Sequence, residues 1–196
     1  MNLKSILSYS FQSFYLAGSF LLLFIFLPTF YNLSIGIPLS VIGLVILTSR
    51  LFDVISDFLI GYLSEKRIIS GRSKKNQILL GIIVFIFSLF GLYVIQSDNI
   101  YSFIFFYNLA LVSYSIAIIP YDSIVIDQKK ILKKRFRLAA IKEIFAILGV
   151  LSALIIPTVI SKLQGVDLLN PNVIKISGLI FILSLIHISE PTRHTD

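Results

Sequence analysis

Six times along this chain the sequence runs apolar for long enough to cross a bilayer, and no other feature restricts its fold as tightly. The runs are approximately Ser8 to Phe30, Pro38 to Tyr62, Gln77 to Ile95, Ile100 to Asp122, Leu138 to Ile160 and Val173 to Ile188. A spanning helix needs roughly 20 mostly apolar residues, because amides in hydrocarbon must bond within their own segment. Six such helices with short connections use up the 196 residues. The expected fold class is therefore all-α integral membrane, with six transmembrane helices and no soluble domain. Composition agrees: 57% hydrophobic against 14% charged residues, with a mean hydropathy of +0.93, excludes an ordinary water-soluble domain.

The first run follows Lys4 and continues from about Ile6 to Tyr31, too long for a signal-peptide core and without a clear small-residue cleavage site. It reads as the first span. The connections alternate between basic and nearly neutral. Lys66, Arg67, Arg72, Lys74 and Lys75 fall between the second and third spans, and Lys129, Lys130, Lys133, Lys134, Arg135 and Arg137 between the fourth and fifth. Lys and Arg are retained on the cytoplasmic side, so both termini are expected there. The basic connections read first as orientation signals, and secondarily as sites for anionic lipid head groups. They show neither a nucleic-acid module nor interleaved stacking aromatics, so no nucleic-acid partner is expected. Cysteine is absent, which removes disulfides and thiolate metal sites.

The second run keeps three charges, Arg50, Asp53 and Asp57. Insertion scales put Arg or Asp at about 2.5 to 3.5 kcal/mol each at the centre of a span. At about 100° per residue the three side chains fall within about 60° of one another, a single stripe that suits a bundle interior or an aqueous cavity. An Arg–Asp pair locking helices together is the bland account. It leaves one carboxylate over, and that surplus suits a proton or a sodium-sized cation. Asp53 and Asp57 are thus the candidate cation-coupling residues, with Arg50 their charged neighbour.

Other polar groups in the runs are fewer. Lys142 and Glu143 fall in the first turns of the fifth run, where Lys142 has the length to snorkel. Tyr121 and Asp122 close the fourth run beside Pro120, which has the chemistry to kink it. Tyr9 and Tyr15 of the first run serve equally well for packing or for ligand contact. A rival class is an intramembrane metal-dependent lipid-modifying enzyme holding its ion at Asp53 and Asp57. That chemistry calls for more clustered Asp, Glu or His than these runs carry.

The stretch RLFDVISDFLIGYLSEKRIISGRSKKNQILLG resembles the second helix, loop and third helix of the glycoside–pentoside–hexuronide (melibiose permease-like) cation symporters, a branch of the major facilitator superfamily. Arg50, Asp53, Asp57, Gly61, Gly71 and Arg72 match that family's R-x-x-D-A-x-x-D-P-x-x-G pattern and the G-[RK] that follows. A second stretch, PYDSIVIDQKKILKKRFRLAAIKEIFAILG, resembles the family's P-[YF] segment, charged loop and fifth helix, with Lys142 in place of an Arg. YSFQSFYLAG and LPTFYNLSIGIPLS resemble its first helix and first outer loop. The resemblance implies the amino-terminal half of a twelve-helix fold, and a secondary transporter that moves a sugar or related small solute by symport with H+ or Na+. It implies Asp53 and Asp57 as the coupling site, with no organic cofactor and no metal beyond a Na+ there. Tyr9, Tyr121, Asp122, Lys142 and Glu143 become candidate solute contacts. Gly61, Glu65, Gly71 and Arg72 become a cytoplasmic gate loop. It further implies a bacterial inner (plasma) membrane, and a carboxy-terminal half as partner. The chain departs from the pattern at Phe58, where the family has proline. Ile118 and Ala17 stand where the melibiose branch has acidic groups, so melibiose-type sugar recognition is not implied.

Six helices make one of the two halves that rock about a central site in such transporters. The closing LSLIHISEPTRHTD, Leu183 to Asp196, turns polar where a sixth helix should still be apolar. LSLIHISEPTR resembles the translation of a transposase adaptor used in sequencing libraries. Residues 1–183 are accordingly expected to form the six-helix half and 184–196 a non-native tail, in which His187 and His194 carry no role. A genuine short polar tail and an inactive truncated product are the alternatives.

Overall fold

The computed structural model describes residues 3–69, 74–127 and 132–189. Among them it contains α1 (Leu3–Leu21), α2 (Leu27–Leu33), α3 (Leu39–Ile69), α4 (Lys74–Phe90), α5 (Ile100–Asp127), α6 (Leu132–Gln164) and α7 (Pro171–Ser189), with π-helical turns at Leu22–Phe26 and Gly91–Ile95. The turn at Leu22–Phe26 joins α1 to α2, and the one at Gly91–Ile95 ends α4. The elements therefore form six rods, called spans one to six below. Five are long and apolar enough to cross a membrane. The sixth, α7, has 19 residues, which at 1.5 Å per residue gives about 28 Å, close to the thickness of a hydrocarbon core. The protein is an all-helical integral membrane protein.

The π turn in span one has a local cause. Pro28 follows closely and has no amide hydrogen, so a regular helix would leave a carbonyl unanswered one turn earlier. The ladder widens instead, and the Leu27 amide reaches back to the Leu22 carbonyl. At the end of span three, Gln96 adopts a left-handed conformation with φ 48°, which stops the helix. Its side-chain amide donates to the Pro171 carbonyl at 3.0 Å, fastening spans three and six.

Helix ends depart from the apolar runs in one consistent direction. Span two continues to Ile69 and not to Tyr62, span four to Asp127, and span five begins at Leu132 rather than Leu138. Ser64, Glu65 and Lys66 are compatible with helix, so the backbone keeps its hydrogen bonds after the lipid-compatible stretch has ended. Hydropathy marks where a helix leaves the membrane, not where it stops. The expected gate loop is corrected accordingly: Gly61 and Glu65 belong to the helix of span two, while Gly71 and Arg72 lie outside the described residues.

Spans one and five make the closest pair, spans three and four the next. Span two leans on span four, and span six packs on one, three and five. Among helices in lipid, association depends on packing, and small residues let backbones approach. Gly149 of span five shows this directly, since a Cβ there would run into the Phe14 carbonyl of span one. The interior is rich in aromatics, with Tyr31, Tyr93, Tyr107, Tyr121, Phe30, Phe85, Phe103 and Phe181 fully buried. Span two turns a broad apolar face outward, including Leu47, Leu51, Val54, Ile55, Phe58 and Leu59.

Candidate functional site

Arg50 stands 11 residues beyond Leu39, the first residue of α3, or about 17 Å along the axis, so it sits midway across a core of about 30 Å. Its Nη1 donates to Asp53 Oδ2 at 3.1 Å. The guanidinium lies over the Phe24 ring of span one at 4.0 Å and within 5.8 Å of Phe20. Two aromatic faces from the neighbouring helix therefore stabilise a cation that hydrocarbon alone would not tolerate. The Arg50–Asp53 pair lies within one helix and fastens no two helices together. The locking role weighed from sequence falls away.

The Asp53 side chain is 13% exposed. One of its oxygens is taken by Arg50, while Oδ1 is buried without a well-formed hydrogen bond among the described residues. Ser115 of span four stands beside the carboxyl. Asp57, one turn on, is exposed yet close enough for its charge to act on Asp53. The stripe thus grades from a half-buried Arg50 through an enclosed Asp53 to an open Asp57.

A second polar group joins spans one, four and five. Tyr9 Oη donates to the Tyr121 carbonyl at 2.6 Å, and Tyr121 Oη donates to the Tyr9 carbonyl at 2.7 Å. Their rings stack with centroids 4.4 Å apart and 20° between planes. Lys142 Nζ pairs with Asp122 Oδ1 at 2.8 Å and reaches Glu143 Oε1 at 3.4 Å. It also approaches the Tyr121 ring at 5.7 Å. Lys142 is thus held across a helix–helix contact and does not merely snorkel. Asp122 and Glu143 remain open, at 49% and 66% side-chain exposure. All five candidate solute contacts from the sequence come together here. Tyr15 instead packs on Phe11 and Phe14.

Residues that sequence reasoning passed over are Phe20 and Phe24, which carry Arg50, and Tyr107 and Ser115, which approach Asp53. The signal was present in spacing: Phe20 and Phe24 are one turn apart, and Tyr107 and Ser115 two turns apart on one face of span four. Among the described residues no three His, Asp or Glu gather as a metal cluster.

A six-helix membrane unit with an ion pair at mid-depth and a charged cluster between spans has the architecture of a transporter half. The chain matches the model of the family described as MFS/sugar transport protein over residues 8–189, and it belongs to that family. This agrees with the symporter resemblance carried by its second and fifth spans. No individual curated protein matches the chain.

Proposed function

We propose that this protein is the amino-terminal half of a cation-coupled symporter for a sugar or related small solute, with Asp53 and Asp57 as the coupling carboxylates. The observation that carries the reading is the divided Asp53 carboxylate, one oxygen held by Arg50 and the other buried without a partner among the described residues. Such a group gains most from a proton or a small cation, since either supplies the missing interaction in a medium where water is scarce. Asp57 is one turn away and open, a position from which an ion would pass to or from Asp53. Arg50 keeps the pair from carrying two uncompensated negative charges.

Solute contact is assigned to the second cluster. Asp122 and Glu143 offer exposed carboxylates to sugar hydroxyls, Lys142 orients them, and the stacked Tyr9 and Tyr121 form an aromatic floor. The tyrosine hydroxyls are committed to each other's carbonyls, so their rings are the parts left for contact. In this reading both termini face the cytoplasm of a bacterial inner membrane, and a second six-helix half supplies the opposing wall of the site.

The test is solute uptake by the two halves together in vesicles, driven separately by an imposed pH gradient and by an imposed sodium gradient. Asp53→Asn and Asp57→Asn are each expected to abolish gradient-driven accumulation. Intact accumulation in both variants would show that the coupling assignment is wrong.

A further inference from the structure

Tyr93 and Tyr107 are fully buried, and neither hydroxyl has a hydrogen-bond partner among the described residues. A buried serine in the same position has a simple remedy, turning its Oγ to the carbonyl one turn back, as Ser113 and Ser177 do. A tyrosine hydroxyl stands too far from its own backbone for that. Lipid supplies no partner either, so two orphan phenols side by side in one bundle need an account.

Their placement is ordered. Tyr31 Oη donates to the Leu92 carbonyl at 3.2 Å, next to Tyr93, and Tyr93 lies within electrostatic reach of both Tyr31 and Tyr107. Tyr107 lies within the same reach of Arg50 and Asp53. The rings are fixed by Phe103, 4.6 Å from Tyr31 and 5.5 Å from Tyr107 between centroids. Tyr93 is near the end of span three, Tyr107 about 10 Å down span four, and Asp53 about 21 Å down span two. The polar atoms descend in that order and finish at the unpartnered Asp53 Oδ1.

We infer that the Tyr93 and Tyr107 hydroxyls line an internal hydration site that continues to Asp53 Oδ1 and links it to the end of the bundle where spans one and two connect. A bound water needs two to four polar partners, and the two phenols with Oδ1 provide them. Its purpose rests on the reading of Asp53 as a coupling group. A proton leaving the Asp53 carboxyl passes to the nearest water, which releases one of its own to the next oxygen, so charge moves and nothing is consumed. Arg50 stays off this line, held on the face of Phe24 and bonded to the other oxygen.

Radiolytic hydroxyl-radical labelling of the chain in lipid nanodiscs tests the hydration itself, because radicals born from bound water mark the side chains beside it. Tyr93 and Tyr107 are expected to label within a factor of about three of exposed Tyr101, while Phe85, equally buried but apolar, stays unlabelled. Tyrosines as silent as Phe85, or Phe85 labelled as strongly as they are, overturn the site. The link to Asp53 is read by infrared spectroscopy at low pH, on the carboxyl C=O band that Asp53→Asn removes. Tyr107→Phe should move that band to higher wavenumber as a hydrogen bond is lost; an unmoved band overturns the link. Silent tyrosines together with uptake that still depends on Asp53 would remove the hydration route and leave the coupling reading standing.

Discussion

Replacing Tyr9 and Tyr121 by phenylalanine, singly and together, isolates the reciprocal bonds between spans one and four. Each substitution deletes one hydroxyl and keeps the ring, so the stack at 4.4 Å survives. A typical intramolecular hydrogen bond contributes about 1 kcal/mol net, and interhelical bonds within a membrane average about 0.6 kcal/mol. Both acceptors are carbonyls inside helices, and each keeps its intrahelical amide when the hydroxyl goes. The lower end of the range therefore applies, about 0.6 to 1 kcal/mol for each single variant. The two bonds join the same pair of segments, so breaking one loosens the other, and the double variant should lose somewhat less than the sum. Tyr121→Ala removes the ring as well, opening a cavity at a fully buried position, at a cost of about 3 to 5 kcal/mol. The assay is reversible unfolding of the purified chain in mild detergent by increasing denaturing detergent, followed by circular dichroism and completed as a double-mutant cycle. Phenylalanine variants indistinguishable from the parent, combined with a mild alanine variant, would refute the clasp.

Gly149→Val should destabilise the chain by about 2 to 3 kcal/mol in the same assay, because the added side chain meets the Phe14 backbone, which has no room to yield. Lys142→Met should cost only about 1 kcal/mol, since Asp122 is half exposed and rehydrates when its partner leaves. Phe24→Leu removes the ring beneath Arg50 at 4.0 Å and should lower stability by about 1 kcal/mol beyond the change in apolar area. A double-mutant cycle with Arg50→Gln, which should show coupling of that size, checks the assignment.

The number of spans and their order were legible in the sequence because a bilayer enforces about 20 apolar residues per crossing, and that requirement is written in one dimension. Arg50 and Asp53 were legible for the same reason, as exceptions to it. What could not be read was anything that depends on which helix faces which. Tyr9 and Tyr121 are 112 residues apart, and no periodicity within either span announces the other. The Lys142–Asp122 pair is of the same kind. The charged ends of spans two and five misled in a different way, since hydropathy falls at Tyr62 and rises again at Leu138 while helical hydrogen bonding takes no notice of either. Asp57 shows the limit of a helical stripe: sharing a face with Asp53 did not give it the same surroundings.

The π turn at Leu22–Phe26 makes span one two helical wheels in place of one. A widened turn holds an additional residue without lengthening the rod to match, so Leu27 to Leu33 are rotated relative to Leu3 to Leu21 by about one residue's angle, 100°. The aromatic residues that hold Arg50 and those that clasp span four are thus set in independent registers. In related chains without a proline at position 28 the same rod should be one residue shorter between Leu21 and that position. Aligned sequences would show the difference as a single-residue gap inside a transmembrane helix, where gaps are otherwise unexpected. Deleting one residue from this chain at the turn should be tolerated where a deletion two turns away is not.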